Sequence, residues 1–178
     1  ILSDFSAPYL QLKANVTVGR MQYMSIFAQL LNNQLARPAN GSIPIAPKYL
    51  AFHHLNFTIG KNLNLGLFET IIFGKRAIGF DPNYLNPIIL YRFIEGFLGS
   101  SDNVIIGLDA KWNILRTASL YGQLALDEFN LKANSTDANW WAKKYAAQVG
   151  FKYIDFLGID NLDFQAEANL ARPFIYSH

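Results

Sequence analysis

The chain has 178 residues, a formal charge of +2 and no cysteine, which fits a single domain over residues 1–178 and excludes disulfides and thiolate metal sites. Its charges are scattered with no basic block, so nucleic-acid binding has no electrostatic footing. Apolar residues make up 51% of the chain and charged residues 16%, against roughly a quarter charged in soluble domains. Either the core is large or apolar surface meets lipid, and since no apolar run approaches ~20 residues, any crossing of a bilayer falls to strands.

The chain begins at Ile1 without an initiator Met, and residues 1–18 lack the basic and apolar regions of a signal peptide, so it reads as a processed or partial product. Tyr9 to Val18, YLQLKANVTV, alternates strictly: Leu10, Leu12, Ala14, Val16 and Val18 share one face, and Gln11, Lys13, Asn15 and Thr17 the other. Runs 20–32, 48–60 and 63–74 alternate less cleanly. They lack a helical period and are rich in aromatic and β-branched residues, so they too are expected to be strands.

The next segment, FDPNYLNPIILYRFIEGFLGSSDN, predicts a helix over about 86–98, with Asn86 as N-cap, Pro87 at the first helical position and Gly99 as the stop. Apolar residues surround nearly the whole cylinder; Arg92 and Glu95, three apart, break it on one side. About 12 residues rise only ~18 Å, too short to span a bilayer. A helix apolar all round must be buried, so it is expected to fold over or into a barrel mouth, with Arg92 and Glu95 toward a polar lumen.

Period two then resumes in four runs: VIIGLDAKWN, LYGQLALD, KYAAQVGFKY and LDFQAEANLAR. Tight turns near Thr17–Arg20, Gly60–Asn62, Leu115–Thr117 and Phe156–Asn161 alternate with long connections at Asn33–Pro47, Lys75–Asp102 and Leu131–Asn139. Up-and-down strands would put all the tight turns at one end and all the long loops at the other, as in outer-membrane barrels. Runs of about 10–13 residues at ~3.3 Å each, tilted near 45°, cross a ~25 Å hydrocarbon band. The fold class expected is therefore all-β: a transmembrane antiparallel up-and-down β-barrel of about eight strands, a number that can close a barrel by itself.

A wet lumen is expected to be lined by Gln11, Lys13, His54, Asp109, Lys111, Gln123, Asp127, Lys144, Gln148, Lys152, Asp163, Gln165 and Glu167, with lysines and carboxylates pairing across strands. A soluble lipocalin-like barrel gives the same alternation with the faces reversed. Long strands, loops gathered at one end, and aromatic residues near strand ends (Tyr23, Tyr49, Tyr91, Trp112, Tyr145, Tyr153) favour the membrane reading.

Site chemistry is sparse. His53 and His54 are adjacent in a strand, so they point to opposite faces and cannot share a metal. No G-x-S-x-G elbow marks a serine hydrolase, so neither an enzyme nor a cofactor or metal site is expected. Asp81 and Asn83 fit an Asp-Pro turn better than a calcium loop. Four N-x-S/T tripeptides (Asn15, Asn40, Asn56, Asn134) read as coincidence, two of them lying within strands. Trp140 and Trp141, where a long loop re-enters a strand, fit an interfacial anchor, or a stacking platform for sugar. Tyr84, Arg92 and Glu95 join them as glycan-binding candidates.

YLAFHHLNF, LNLGLFETIIFG, DPNYLNPIILYRFIEGFLGSSDNVIIGLDAKWN, LYGQLALDEF and ANLARPFIYSH together resemble the capsule-assembly Wzi-like and gliding-motility RemB-like outer-membrane barrels of Bacteroidota. The resemblance runs through nearly the whole chain and is densest from Tyr49 to Phe129. It implies a bacterial outer-membrane protein, not an enzyme, with outer-membrane lipid around it and surface polysaccharide, or other envelope proteins, as partners. Capsule polysaccharide binding and assembly is the leading expectation. A structural subunit of a gliding or secretion machine is the alternative, and a diffusion pore the second alternative. Family members are much longer, which implies that this chain is one part of a larger barrel.

Overall fold

A computed structural model describes residues 9–32, 46–74, 82–86, 103–127 and 144–172. The alternating runs fold into eight strands: β1 (Leu10–Val18), β2 (Met21–Asn32), β3 (Ala46–Ile59), β4 (Leu63–Gly74), β5 (Asn103–Asn113), β6 (Ala118–Asp127), β7 (Tyr145–Tyr153) and β8 (Phe164–Ala171). They form one antiparallel sheet in the order β1 to β8, each strand hydrogen-bonded only to its neighbours in sequence. This is the expected up-and-down meander. β1 and β8 are its two edges, unpaired with each other among the described residues.

The turns that join the hairpins lie at one end. Val18 pairs with Met21 across Gly19-Arg20, and Gly19 has φ 59, a left-handed value that residues with a Cβ adopt at a cost. The β7–β8 turn is longer and holds three non-glycine residues at positive φ, Asp155, Leu157 and Asn161. The Asp155 carboxylate stabilises it by accepting the Asn161 backbone N–H at 2.8 Å. Asp163 belongs to this turn, one residue before β8, and not to the strand wall where the alternation put it.

Register sorts the side chains into two faces. Cross-strand partners such as Leu12↔Phe27, Leu55↔Leu67↔Leu108↔Leu124 and Val149↔Ala168 share one face. Lys13↔Ile26, Asp109↔Gln123↔Gln148↔Asn169 and Gly150↔Glu167 share the other. A groove on the second face has walls running from β2 to β7, so the sheet curls with that face inside. The convex face carries the exposed large apolar residues: Leu12 is 73% exposed, Leu108 57%, Val149 54% and Leu170 52%. A convex apolar face and a polar concave one is the arrangement of a membrane barrel and the reverse of a lipocalin-like one.

The two faces change character toward the long-loop end, which is why 48–60 and 63–74 alternate poorly. On the concave side Phe68, Ile105, Ala125 and Ala146 are buried together, with Phe52 packed against them. On the convex side Ala51, Ile71, Phe73, Val104 and Tyr84 form a second buried cluster. Tyr84 comes from a short 3-10 turn, Pro82–Leu85, at the start of the sequence expected to hold the apolar helix. Its ring lies 4.6 Å from that of Phe73, centroid to centroid. A fully buried aromatic side chain of this kind stabilises by about 1.5–3 kcal/mol. The helix expected over 86–98 falls, beyond Asn86, outside the described residues. The 3-10 turn before it seats Tyr84 on the convex face.

Beneath Tyr84, toward the tight turns, the convex face holds a polar pair. His53 Nδ1 and Glu69 Oε1 are 3.4 Å apart on paired positions of β3 and β4, both nearly fully buried. The Tyr23 ring covers His53 at 5.7 Å. His54 faces the concave side, as the alternation of adjacent strand residues requires.

Candidate functional site

The concave face between the tight turns and the apolar Phe68 cluster is the polar interior that the sequence implies. Strand parity and register bring Gln11, Lys13, His54, Asp109, Lys111, Gln123, Asp127, Gln148, Lys152, Gln165 and Glu167 to it. Lys144 continues the same row just before β7, its carbonyl accepting the Asp127 N–H at 3.0 Å. Gln11 and Lys13 stand on the exposed edge strand β1, whereas Asp127 is buried at the opposite, long-loop end. A groove of about 580 Å³ runs along the middle, lined by His54, Asp109, Lys111, Tyr121, Gln148 and Lys152 among others.

What holds this surface together differs from the expectation. The sequence suggests lysine–carboxylate pairs across strands. Around the groove, Asp109 and Glu167 instead bond an imidazole and uncharged donors, while Lys144 and Asp127 each have a partner of their own. His54 Nε2 meets Asp109 Oδ2 at 2.7 Å. Tyr121 donates its hydroxyl proton to Glu167 at 2.9 Å and accepts from the Gln165 amide at 2.8 Å, while Asn169 donates to Glu167 at 2.9 Å. Gln123 donates to Gln148 at 2.6 Å, and Thr58 donates to Asn64 at 2.9 Å. Lys111 and Lys152 make no hydrogen bond or ion pair among the described residues. The physical reason is register. Lys111 is paired with Tyr121, and Lys152 with Ser119 and Gln165, so no carboxylate stands directly opposite either.

Two glycines make the network possible. The His54–Asp109 bond reaches from β3 to β5 over the intervening strand, and Gly66 of β4 lies under it. A Cβ at Gly66 would land on the Asp109 carboxylate and on His54 Nε2. Gly150 does the same for Tyr121: the ring lies across it, and a Cβ there would occupy the place of the phenol. An aromatic ring folded over a cross-strand glycine restores the packing that glycine lacks. Glycines at paired positions of charged or aromatic residues are visible in the sequence only once the register is known, which is why Tyr121 was missed as a site residue.

The glycan candidates fare differently. Tyr84 is fully buried against Phe73 and has no surface to offer a ligand. Arg92, Glu95, Trp140 and Trp141 lie outside the described residues. His53 and His54, on opposite faces, do not share a ligand site. Of the strand-end aromatics, Trp112 is half exposed on the convex face. Tyr153 joins Phe151, Phe156 and Phe164 in a chain of stacked and edge-on rings at the tight-turn end of β7 and β8. Such a cluster is suited to the boundary between hydrocarbon and water. No helix among the described residues is long and apolar enough to cross a membrane, so the strands alone carry that question. Comparison with family models, with curated proteins and with solved structures found no match for the chain.

Proposed function

We propose that this chain is an arc of an outer-membrane β-barrel wall, and that the barrel binds surface polysaccharide during capsule assembly. One observation carries the first part: the exposed apolar side chains lie on the convex face, while the hydrogen-bonded polar groups line the concave one. That division stabilises a sheet with lipid outside and water inside. In plain water it would leave a large apolar surface uncovered. The second part rests on the family resemblance and on a groove that sets amide, hydroxyl and ammonium groups beside the apolar Met24, Phe52 and Phe68, a mixture that matches the hydroxyls and apolar faces of sugars. The exposure of both edge strands on both faces favours a larger barrel, completed by strands that pair with β1 and β8.

The test has two stages. Refolding into phospholipid vesicles should give a protease-resistant, heat-modifiable species; a protein that stays soluble and protease-sensitive would sink the membrane reading. Purified surface polysaccharide should then bind the refolded protein. Copurification of stoichiometric envelope partners without any polysaccharide binding would favour a structural subunit instead, and steady conductance in planar bilayers a diffusion pore.

A further inference from the structure

The concave groove holds unused hydrogen-bond donors. Its carboxylates already have donors: Asp109 holds His54, and Glu167 holds Tyr121 and Asn169. Its two ammonium groups, Lys111 and Lys152, have no partner among the described residues. Both line the groove, on either side of β6. Lys111 is opposite Tyr121, and Lys152 is opposite Ser119, the next residue on the same face of that strand. Two strand spacings of ~4.8 Å and one two-residue step of ~3.3 Å per residue put their backbones roughly 12 Å apart on a diagonal. Lysine stems are long enough to bridge that separation to one ligand, and Ser119 and Tyr121 line the groove between them.

We infer that this groove takes an acidic saccharide, with a carboxylate or sulfate substituent seated between Lys111 and Lys152 and the neighbouring sugar hydroxyls meeting the Ser119 hydroxyl. The inference rests on the polysaccharide reading and narrows it to a charged class. The chemistry is simple. A lysine ammonium in a partly enclosed polar groove is a strong donor to an anion and a weak one to a hydroxyl. The neighbouring carboxylates keep their charge, so the discrimination rests on direct contact: an anion seated on both ammonium groups takes charge-assisted hydrogen bonds that a neutral hydroxyl cannot match. The Tyr121 ring, held down over Gly150 by two hydrogen bonds, gives the site a fixed wall.

The experiment is titration calorimetry on the whole chain in detergent micelles, with tetragalacturonate as the acidic probe and maltotetraose as the neutral one. At low salt tetragalacturonate should bind at least about tenfold more tightly, the equivalent of one charge-assisted hydrogen bond. That preference should shrink as ionic strength rises. The Lys111→Gln/Lys152→Gln pair should abolish it, while Lys61→Gln, in the exposed β3–β4 turn, should leave it intact. Should the double variant misfold, the salt dependence of the unaltered protein decides by itself. Equal binding of both probes would overturn the inference and leave the polysaccharide reading standing. Binding of neither would overturn both. Free galacturonate or phosphate matching the tetramer's affinity would reduce the groove to a simple anion site and overturn the saccharide assignment.

Discussion

Leu108→Lys separates a lipid-facing wall from a water-facing one. Leu108 is the sixth of the eleven residues of β5. It is 57% exposed on the convex face and flanked by Leu67 and Leu124, 41% and 39% exposed. Five residues on either side at ~3.3 Å, tilted ~40°, place it roughly 13 Å from each strand end along the membrane normal, near the middle of a ~25 Å band. In water a surface change of this kind stays within about 0.5 kcal/mol. At the midplane of a bilayer a lysine costs about 2–4 kcal/mol, or a factor of about 30 to several hundred in the insertion equilibrium. Urea titration of the folded protein in phospholipid vesicles, followed by tryptophan fluorescence, measures the difference. Gln11→Lys, on the concave face of β1, is the control and should stay within about 0.5 kcal/mol. If Leu108→Lys inserts and resists urea as well as the unaltered chain, the convex face does not meet hydrocarbon and the membrane assignment falls.

Three further outcomes follow from the packing. Gly107→Ala places a Cβ on the Phe68 ring and on the Leu124 carbonyl. Overpacking of about 1–3 kcal/mol outweighs the ~0.5–1 kcal/mol gained by replacing a strand glycine. A double cycle with Phe68→Ala should therefore be non-additive by more than about 0.5 kcal/mol, and simple additivity would refute the contact. His54→Ala should destabilise by about 1 kcal/mol through loss of the Asp109 hydrogen bond. Gly66→Ala should act in the same direction, and combining the two should cost little more than either; fully additive losses in urea unfolding would separate the glycine from the pair. Tyr84→Ala should cost about 3 kcal/mol or more, as for other buried aromatic truncations, and an unchanged unfolding midpoint would show that the 3-10 turn does not cover the wall.

Strand number, order and the division of faces were legible in the sequence wherever one face of a strand is wet. β1, β5, β6, β7 and β8 alternate because one side meets polar groups along most of their length. β3 and β4 do not, because their long-loop halves are covered on both faces, by the Phe68 cluster inside and the Tyr84 cluster outside. Alternation encodes a difference in environment between faces, and there the difference vanishes. The residues of the concave face were found by parity alone, and Asp163 fell outside the strand because parity does not say where a strand begins. The hydrogen-bonded partners were not legible. His54 with Asp109, and Tyr121 with Glu167, are 55 and 46 residues apart and meet only through register and the glycines between them. The side taken by the 82–85 turn was also hidden. An apolar segment signals that it will be buried, without saying against which face of a sheet.

The Tyr84 turn has a consequence for which substitutions β4 tolerates. Leu65 and Leu67 are exposed on the convex face, whereas Ile71 and Phe73, further along that same face, are closed beneath Tyr84. In the membrane wall proposed above, a side chain next to fluid acyl chains has only to be apolar, since lipid moulds itself to any outline. Beneath a fixed phenol ring it has to have the right volume and shape as well. A single strand thus obeys two substitution rules within a few residues. Swaps among Leu, Ile, Val and Phe should pass almost unnoticed at Leu65 and Leu67. The same swaps at Ile71 and Phe73 should be penalised as in the interior of a globular enzyme.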